Sequence, residues 1–414
     1  MKLERGLIIR YSLLLLLLAA FGWFCAESPP ETRQSRSESF RFRHHFIQQK
    51  LEGDAWGQTS LADVDRDGDL DFVLGRRNGL ILWYEYNPPG SWHRHLIGER
   101  SPSDVGGLML DVDGDGWLDM VAGGTWYKNP GNKAAGLWQE HIFDSKLHSV
   151  HDIIAADLDG DNRPDLVTMA GEMEGVTRSA AKDLRWYKIA DDPRNPWQMK
   201  RIGDSVHSGL AAADLDSDGD IDLVRSNIWL ENKGGGEDWI EHEIVSISWD
   251  VASQTQVADI NGDGRPDVVL AEGEIKGARV AWFEAPADVR SPGWQAHILA
   301  QSDNEPRGPY HSLAVADFDN DGDPDIFAGE MEWLGVAPYR WFIWENLSEK
   351  KLDSVEFVER VVLDKGLGTH NAVIGDVDGD GDIDIAGKLW RPVEDNANSG
   401  QNHADYLENL TISR

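Results

Sequence analysis

Cysteine is nearly absent from this chain of 414 residues, which contains only Cys25. A single cysteine allows no disulfide within the chain, so another interaction has to hold the fold together. Basic residues are also scarce, because 39 Lys and Arg face 73 Asp and Glu and leave a net charge of −34. Proteins that bind nucleic acids present a basic surface, so the composition argues against that class of partner.

Long apolar runs and familiar enzyme signatures are missing as well. The one strongly apolar segment, residues 13–20, is short. The chain contains no nucleophile elbow, no phosphate-binding loop and no signature of paired glycosidase carboxylates. The sequence therefore gives no support to the enzyme classes that those motifs define.

The N-terminal segment has the pattern of an export signal, because three basic residues precede the apolar residues 13–20. We predict a signal peptide over residues 1–26 and a disordered linker, containing Pro and Ser, over residues 27–38. Cys25 leaves open a lipoprotein leader with a lipid anchor at that residue, and a retained membrane anchor is a further alternative. After signal removal we expect no membrane span and an extracytoplasmic protein that is secreted, periplasmic or on the cell surface.

What the chain has in abundance is one acidic motif, Asp-x-Asp-x-Asp-Gly-x-x-Asp, which occurs seven times. Its side-chain carboxylates fall at positions 1, 3, 5 and 9, and burying that much charge without a partner is very costly. A flexible loop of oxygen ligands with a glycine at position 6 is typical of calcium sites, so we predict up to seven calcium ions. The alternative is an acidic, solvated loop without a metal. The predicted ligands in these seven acidic loops are Asp63, Asp65, Asp67 and Asp71; Asp111, Asp113, Asp115 and Asp119; Asp157, Asp159, Asp161 and Asp165; Asp214, Asp216, Asp218 and Asp222; Asp259, Asn261, Asp263 and Asp267; Asp317, Asp319, Asp321 and Asp325; and Asp376, Asp378, Asp380 and Asp384.

The residues around the acidic loops indicate β-strands and not the helices of an EF-hand. An EF-hand has a Glu at position 12 and a helix on each side of its loop. Position 12 here is Leu, Ala, Thr, Arg or Gly, and short apolar stretches flank the loops. Two further strand signals follow each loop, an aromatic strand and then, in most repeats, a Trp-x-x-His strand. The pattern predicts four strands per repeat.

Four strands in each of seven repeats predict an all-β fold, a seven-bladed β-propeller over residues 39–414. The last repeat, whose loop begins at Asp376, ends after its third strand. Residues 42–47 match residues 92–97, which belong to the fourth strand of the first repeat. We therefore predict that the N-terminal strand completes the last blade and closes the ring, which removes an incomplete sheet edge.

The acidic loops and their flanking strands resemble FG-GAP/VCBS repeats over nearly the whole mature chain. The resemblance implies a β-propeller like those of integrin α-subunit heads and of many secreted bacterial proteins. Propellers of this family include adhesion modules and calcium-binding rhamnogalacturonan lyases. The segments that contain His311 and Glu330 are also loosely similar to the propeller of aldos-2-ulose dehydratase, a zinc-dependent fungal sugar enzyme.

The 13 histidines fall into two sets. One set recurs in the fourth strands, as packing demands, and we interpret it as structural: His45, His95, His141, His242 and His297. The other set lies six or seven residues before an acidic loop, at the start of the innermost strand: His151, His207, His311 and His370. Glutamate pairs follow three of the loops and begin at Glu172, Glu272 and Glu330. As candidate catalytic residues we select the second histidine set with Glu172 and Glu330, at the mouth of the central channel opposite the calcium loops.

Several functions remain open for such a mouth. Its His and Glu side chains could bind zinc, act as a general base and acid, or hold neighbouring blades together through hydrogen bonds. We predict a secreted calcium-binding propeller, monomeric, that recognises a carbohydrate or another cell-surface ligand at this face. The first alternative is a sugar lyase or dehydratase that uses the His/Glu group, and the second is a structural adhesion protein.

Overall fold

The computed structural model describes residues 40–131, 136–170, 183–245, 247–301, 307–335, 337–348 and 355–411. The 28 strands in this part of the chain form seven antiparallel sheets of four strands each. Within the same ranges, no helix has the length and apolar character that crossing a membrane requires. The predicted all-β, seven-bladed propeller is confirmed, whereas the predicted signal peptide and linker lie outside the described residues.

Each of the first six blades uses four strands in chain order, and its first strand lies innermost. First strands of neighbouring blades contact one another around the whole ring, including blade 7 with blade 1. The strands of blades 1 to 3 are β2 (Trp56–Ala62), β3 (Asp71–Arg76), β4 (Ile81–Asn87) and β5 (Ser91–Gly98); β6 (Gly107–Leu110), β7 (Asp119–Ala122), β8 (Thr125–Lys128) and β9 (Gln139–Ile142); and β10 (Val150–Ala156), β11 (Asp165–Ala170), β12 (Asp183–Lys188) and β13 (Gln198–Asp204). Those of blades 4 to 6 are β14 (Leu210–Ala213), β15 (Asp222–Arg225), β16 (Ile228–Asn232) and β17 (Trp239–Glu243); β18 (Ser253–Ala258), β19 (Asp267–Glu272), β20 (Val280–Glu284) and β21 (Gln295–Ala300); and β22 (Tyr310–Ala316), β23 (Asp325–Glu330), β24 (Trp341–Asn346) and β25 (Phe357–Leu363). Blade 7 has β26 (Asn371–Gly375), β27 (Asp384–Lys388), β28 (Ala404–Asn409) and, from the start of the chain, β1 (Phe42–Gln48).

Blade 7 is assembled from both ends of the propeller. The N-terminal strand β1 pairs antiparallel with β28, which makes it the outermost strand of that sheet. The register runs from Phe42 opposite Asn409 to Gln48 opposite Ala404. The predicted closure of the ring by the N-terminal strand is therefore confirmed.

The hydrophobic core lies between the blades, because alternate residues of a strand point to opposite faces of its sheet. In β3, Phe72 packs toward blade 7 in one cluster with Tyr406, whereas its neighbour Val73 packs toward blade 2 with Met120. All four side chains are almost completely buried. Burying a side chain of the size of Phe72 stabilises the fold by roughly 1.5–3 kcal/mol, so each blade depends on both of its neighbours.

Polar contacts fix each acidic loop to its own blade and, in several blades, to the next one. The position-9 carboxylate of Asp384 accepts hydrogen bonds from the backbone N–H groups of Val377 in the loop (2.9 Å) and Asn409 in the third strand (2.7 Å). The side-chain Nδ2 of Asn409 donates to the carbonyl oxygens of Phe318 in blade 6 (2.9 Å) and Ile383 (3.1 Å). Asparagines of blades 2, 4 and 6 make equivalent contacts, which explains why Asn recurs at the end of the third strand.

Deletion of residues 39–50 should destabilise the whole propeller, because it removes β1 and leaves blade 7 with three strands. We expect the melting temperature to fall by at least about 10 °C, the shift that a loss of several kcal/mol produces in a large domain. Scanning calorimetry measures the change, with deletion of residues 27–38 as the control. A chain without residues 39–50 that melts like its parent would show that β1 does not close the ring.

Candidate functional site

The acidic loops connect the first and second strands of every blade and therefore share one face of the ring. In blade 1, Asp63 accepts hydrogen bonds from the backbone N–H groups of Asp67 (3.1 Å) and Gly68 (3.2 Å), which bends the loop around its own carboxylates. The other six loops repeat these two contacts. Position 6 has a positive φ, 101° at Gly68 and 64° at Asn162, which explains the preference for Gly or Asn there.

The loops bring carboxylate oxygens close enough together to hold a cation. In blade 1, ligand atoms of Asp63, Asp65 and Asp71 lie within 4.8 Å of one another, and the loops of blades 2 and 3 contain similar groups. Hard oxygen donors of this kind suit calcium. Burial raises the pKa of the position-9 carboxyl group to about 8 in both Asp71 and Asp384, and a divalent cation beside it would offset that desolvation. The donor set thus fits the calcium ion predicted from the sequence.

Four of the five recurring histidines of the fourth strands contact a glutamate of the third strand. Glu85 in β4 lies close to Asp65 and Asp67, and its Oε2 is 2.8 Å from Nε2 of His95. The His95 ring also stacks on Trp83, with the ring centroids 4.1 Å apart. Equivalent His–Glu contacts of 2.7–3.0 Å join His45 to Glu408, His242 to Glu231 and His297 to Glu284. These contacts are consistent with the structural role predicted for this set.

The central channel has two chemically different ends. On the side of the acidic loops, a cavity of about 700 Å³ is lined largely by apolar residues of the first strands, such as Leu61, Leu313 and Ile374. Toward the opposite face, a cavity of about 320 Å³ is lined by residues of all seven blades, with His151 and His311 among them. Polar chemistry is therefore concentrated at the mouth that lies opposite the acidic loops.

The four predicted histidines converge at this mouth. His151 lies in β10 and His311 in β22, whereas His207 and His370 precede β14 and β26. The ring centroid of His151 is 4.8 Å from that of His207 and 5.5 Å from that of His311. The rings of His311 and His370 stack with their centroids 4.0 Å apart. Residues far apart in the chain thus form one compact group.

Glu274 completes this group, and we name the five residues the histidine cluster. Its Oε1 lies 3.1 Å from Nε2 of His207 and 3.8 Å from Nε2 of His311. His311 is 1% exposed, and its Nδ1 lies 2.7 Å from the carbonyl oxygen of His370. Because a carbonyl only accepts hydrogen bonds, Nδ1 carries the proton and Nε2 keeps its lone pair. Burial lowers the pKa of His311 to about 4, so its ring is neutral near pH 7.

The arrangement of His311 and Glu274 favours a cation or a proton between them. A nitrogen lone pair and a carboxylate oxygen 3.8 Å apart repel each other unless a positive species lies nearby. Ligand atoms of His151, His207 and Glu274 lie within 4.8 Å of one another. The histidine cluster could therefore hold a transition metal or take part in proton transfer.

Only one of the two predicted glutamates can be compared with the predicted histidines. Glu172 lies outside the described residues. Glu330 ends β23, where its carboxylate accepts hydrogen bonds from the backbone N–H groups of Gly308 (3.1 Å) and Arg340 (2.8 Å). These contacts satisfy the buried carboxylate, and the catalytic role of Glu330 stays a prediction.

Glu274 is the site residue that the sequence analysis did not select. It lies seven residues after Asp267, the last aspartate of its acidic loop. The same spacing separates Glu172 from Asp165 and Glu332 from Asp325. Spacing alone does not select Glu274, because Glu332 instead accepts hydrogen bonds from the backbone N–H groups of Trp390 and Arg391. Glu272 pairs with Arg279.

Aromatic and cationic side chains border the histidine cluster. Trp390 lies beside His370, with the ring centroids 5.0 Å apart, and the Arg77 guanidinium lies 5.4 Å from the Trp390 ring centroid. The Arg391 guanidinium lies 4.4 Å from the ring centroid of Trp333, which is 37% exposed. A concave end with aromatic, cationic and titratable groups has the composition of a ligand-binding site.

Comparison with known families identifies the repeats. The FG-GAP-like repeat matches residues 63–122, 111–168, 214–270 and 259–328, which together cover more than half of the chain. This chain belongs to the FG-GAP-like repeat family. FG-GAP repeats generally bind calcium, and the acidic clusters of this FG-GAP propeller could hold a metal ion.

Known relatives of this FG-GAP propeller are longer proteins. It is 21% identical over 385 residues to cartilage acidic protein 1 of Xenopus tropicalis and 20% identical over 382 residues to cartilage acidic protein 1 of Mus musculus. Both alignments cover 79% of this chain and 56% of the relative. The chain therefore spans about half the length of the curated relatives that it matches.

Two solved structures are similar to the FG-GAP propeller in fold. One comes from a study of the specific recognition of non-reducing terminal N-acetylglucosamine by an Agrocybe aegerita lectin, with a TM-score of 0.50, 15% identity and coverage of 90% of this chain and 87% of that one. The other, BBS1N in complex with ARL6DN, has a TM-score of 0.51, 8% identity and coverage of 89% and 97%. At these identities the likeness shows the fold alone.

Calcium removal should destabilise the FG-GAP propeller. A ligand that binds only the folded state at a hundredfold excess over its Kd stabilises that state by about 2.7 kcal/mol per site. Excess chelator should therefore lower the melting temperature strongly, and added calcium should restore it. An unchanged calorimetric transition in chelator would contradict metal binding by the acidic loops.

Asp378→Ala provides the matched variant for this experiment, because Asp378 holds position 3 of the loop in blade 7. We expect the variant to gain less thermal stability from calcium than the parent does. Asp364→Ala, at an exposed position outside the acidic loops, should respond to calcium as the parent does.

Proposed function

We propose that the protein is an extracytoplasmic, calcium-stabilised β-propeller that recognises a carbohydrate at the channel face opposite the acidic loops. The observation that carries the proposal is the histidine cluster beside Trp390 and Trp333 at a concave polar mouth. Sugars present apolar C–H faces and a rim of hydroxyl groups. Aromatic rings can stack on the C–H faces, and imidazole, carboxylate and guanidinium groups can form hydrogen bonds with the hydroxyl groups.

The chemistry of the mouth favours a sugar that carries negative charge. The guanidinium groups of Arg77 and Arg391 lie 5.4 Å and 4.4 Å from the ring centroids of Trp390 and Trp333, so a sugar bound at the mouth would meet a cation near each tryptophan. A guanidinium binds a carboxylate with two parallel hydrogen bonds. Uronic acids, which combine a sugar ring with a carboxylate, are therefore the carbohydrate class that we propose first.

The comparisons support a binding role without specifying the ligand. A lectin of Agrocybe aegerita that recognises N-acetylglucosamine has a similar fold, so a propeller of this kind is compatible with sugar recognition. An export signal over residues 1–26, a linker over residues 27–38 and a propeller over residues 39–414 complete the proposed organisation, with Cys25 as the residue for an alternative lipid anchor. We expect the propeller to act as a monomer, and a structural adhesion protein remains the alternative if no carbohydrate binds.

A titration calorimetry screen of uronic-acid polysaccharides and neutral glycans tests the binding proposal. We expect binding of a uronic-acid glycan and at least a tenfold weaker affinity for Trp390→Ala, a loss of about 1.4 kcal/mol. Trp117→Ala changes a half-buried tryptophan in an acidic loop on the opposite face and should bind as the parent does. Unchanged affinity in Trp390→Ala would place the binding site elsewhere, and the absence of glycan binding would contradict the proposed function.

The second candidate function is a sugar lyase or dehydratase, which one observation favours. His151, His207 and Glu274 bring three ligand atoms together, the number of protein ligands that a catalytic zinc site uses. Zinc bound there would supply a Lewis acid that polarises a carboxylate or carbonyl oxygen of the sugar. The neutral His311 would accept the proton from the adjacent carbon. A carbon–carbon double bond would form as the carbon–oxygen bond breaks, and the departing oxygen would take a proton from water.

Elemental analysis after dialysis against calcium-containing buffer tests this second candidate. We expect about one zinc per chain in the parent and loss of zinc in both His151→Ala and His207→Ala. His148→Ala, which changes an exposed histidine just before the cluster, should keep the metal. Bound calcium alone, together with no unsaturated product from uronic-acid polysaccharides, would contradict the enzyme and leave the binding proposal intact.

A further inference from the structure

One position of the third strand lies beside the acidic loop, and its residue type differs among the blades. In blade 1 it is Glu85, which lies close to Asp65 and Asp67 at positions 3 and 5 of the loop. We name it the loop-facing position. It holds a carboxylate in five blades, namely Glu85, Glu231, Glu284, Glu345 and Glu408, and an ammonium group in blades 2 and 3, namely Lys128 and Lys188.

The two lysines extend into the acidic loops of their own blades. In blade 2, Nζ of Lys128 contacts Oδ2 of Asp113 and lies 2.6 Å from Oδ2 of Asp115. In blade 3, Nζ of Lys188 contacts Oδ2 of Asp159 and lies 2.8 Å from Oδ2 of Asp161. Each ammonium group thus bridges positions 3 and 5, two of the carboxylates that a calcium ion would need.

The fourth strand of blade 3 differs together with its lysine, whereas that of blade 2 keeps its histidine. In blade 1, His95 holds the carboxylate of Glu85. Blade 3 has Lys200 at the equivalent place, and its Nζ lies 2.9 Å from Oε2 of Glu237. Blade 2 keeps His141, which still stacks on a tryptophan, but burial, Arg194 and Lys128 all lower the pKa of this histidine. In blade 3 the glutamate is therefore replaced along with its supporting histidine, whereas in blade 2 the glutamate alone is replaced.

We propose that Lys128 and Lys188 are built-in cations that neutralise the acidic loops of blades 2 and 3, so that these two loops bind no calcium and the chain binds at most five ions. Relative to a blade with glutamate at the loop-facing position, each of these loops has one negative charge fewer and one positive charge more, so its surroundings are less negative by two units. The charge of the ligand set tunes the affinity of a calcium site. A calcium ion would also have to displace an ammonium group that already bonds two of its ligands.

The proposal rests on calcium binding by the other loops. The number of calcium ions bound per chain tests the role of the lysines separately from calcium binding itself. Equilibrium dialysis of the full chain at saturating calcium, followed by elemental analysis, counts the bound ions. We expect no more than five in the parent and two additional ions in Lys128→Gln/Lys188→Gln. Each single variant should gain one ion. Lys200→Gln, which removes a lysine that pairs with Glu237 and not with a loop aspartate, should bind as the parent does.

Thermal melting supplies a readout that does not depend on counting. Without their ammonium groups, the loops of blades 2 and 3 need another cation, so the double variant should melt lower than the parent in chelator and gain more from calcium. Seven ions in the parent would overturn the role of the lysines while leaving the calcium proposal standing. A double variant that folds in calcium and gains no ion would overturn it as well. The absence of bound calcium altogether would overturn both.

Discussion

Neutralisation of carboxylate charge at one face of the ring is the constraint on which the rest of this structure depends. Every acidic loop gathers at least three carboxylates within one turn and buries the one at position 9, as Asp71 and Asp384 illustrate. Unpaired charge in such a place costs several kcal/mol, so a cation beside each loop would stabilise its closure between the two strands. We propose calcium for most loops and a lysine for those of blades 2 and 3.

The charge balance of one loop affects the whole ring, because loops and blades share contacts. Asn409 joins the third strand of blade 7 to the acidic loop of blade 6. The core lies between blades, so a blade that opens exposes apolar surface on both of its neighbours. Repetition thus gives stability at the face of the acidic loops. The opposite face, where blades differ in sequence, is free to hold the histidine cluster.

Repetition also explains how much of the molecule could be predicted. Blade number, strand order and closure by β1 followed from comparing the repeats with one another. The convergence of His151, His207, His311 and His370 followed in part, because each precedes a loop by nearly the same number of residues. Glu330 and Glu274 could not be ranked by sequence, since the backbone contacts of Gly308 and Arg340 that satisfy Glu330 are non-local. The contacts of Lys128 with its loop are equally non-local, joining a third strand to a turn 13 residues earlier.

A crystal structure of the calcium-loaded protein tests the central claim most directly, because the anomalous scattering of calcium identifies the ion and its ligands. The account predicts an ion bound by Asp376, Asp378 and Asp380 in the loop of blade 7. A blade 7 loop whose carboxylates bound only water molecules or cationic side chains at saturating calcium would contradict it.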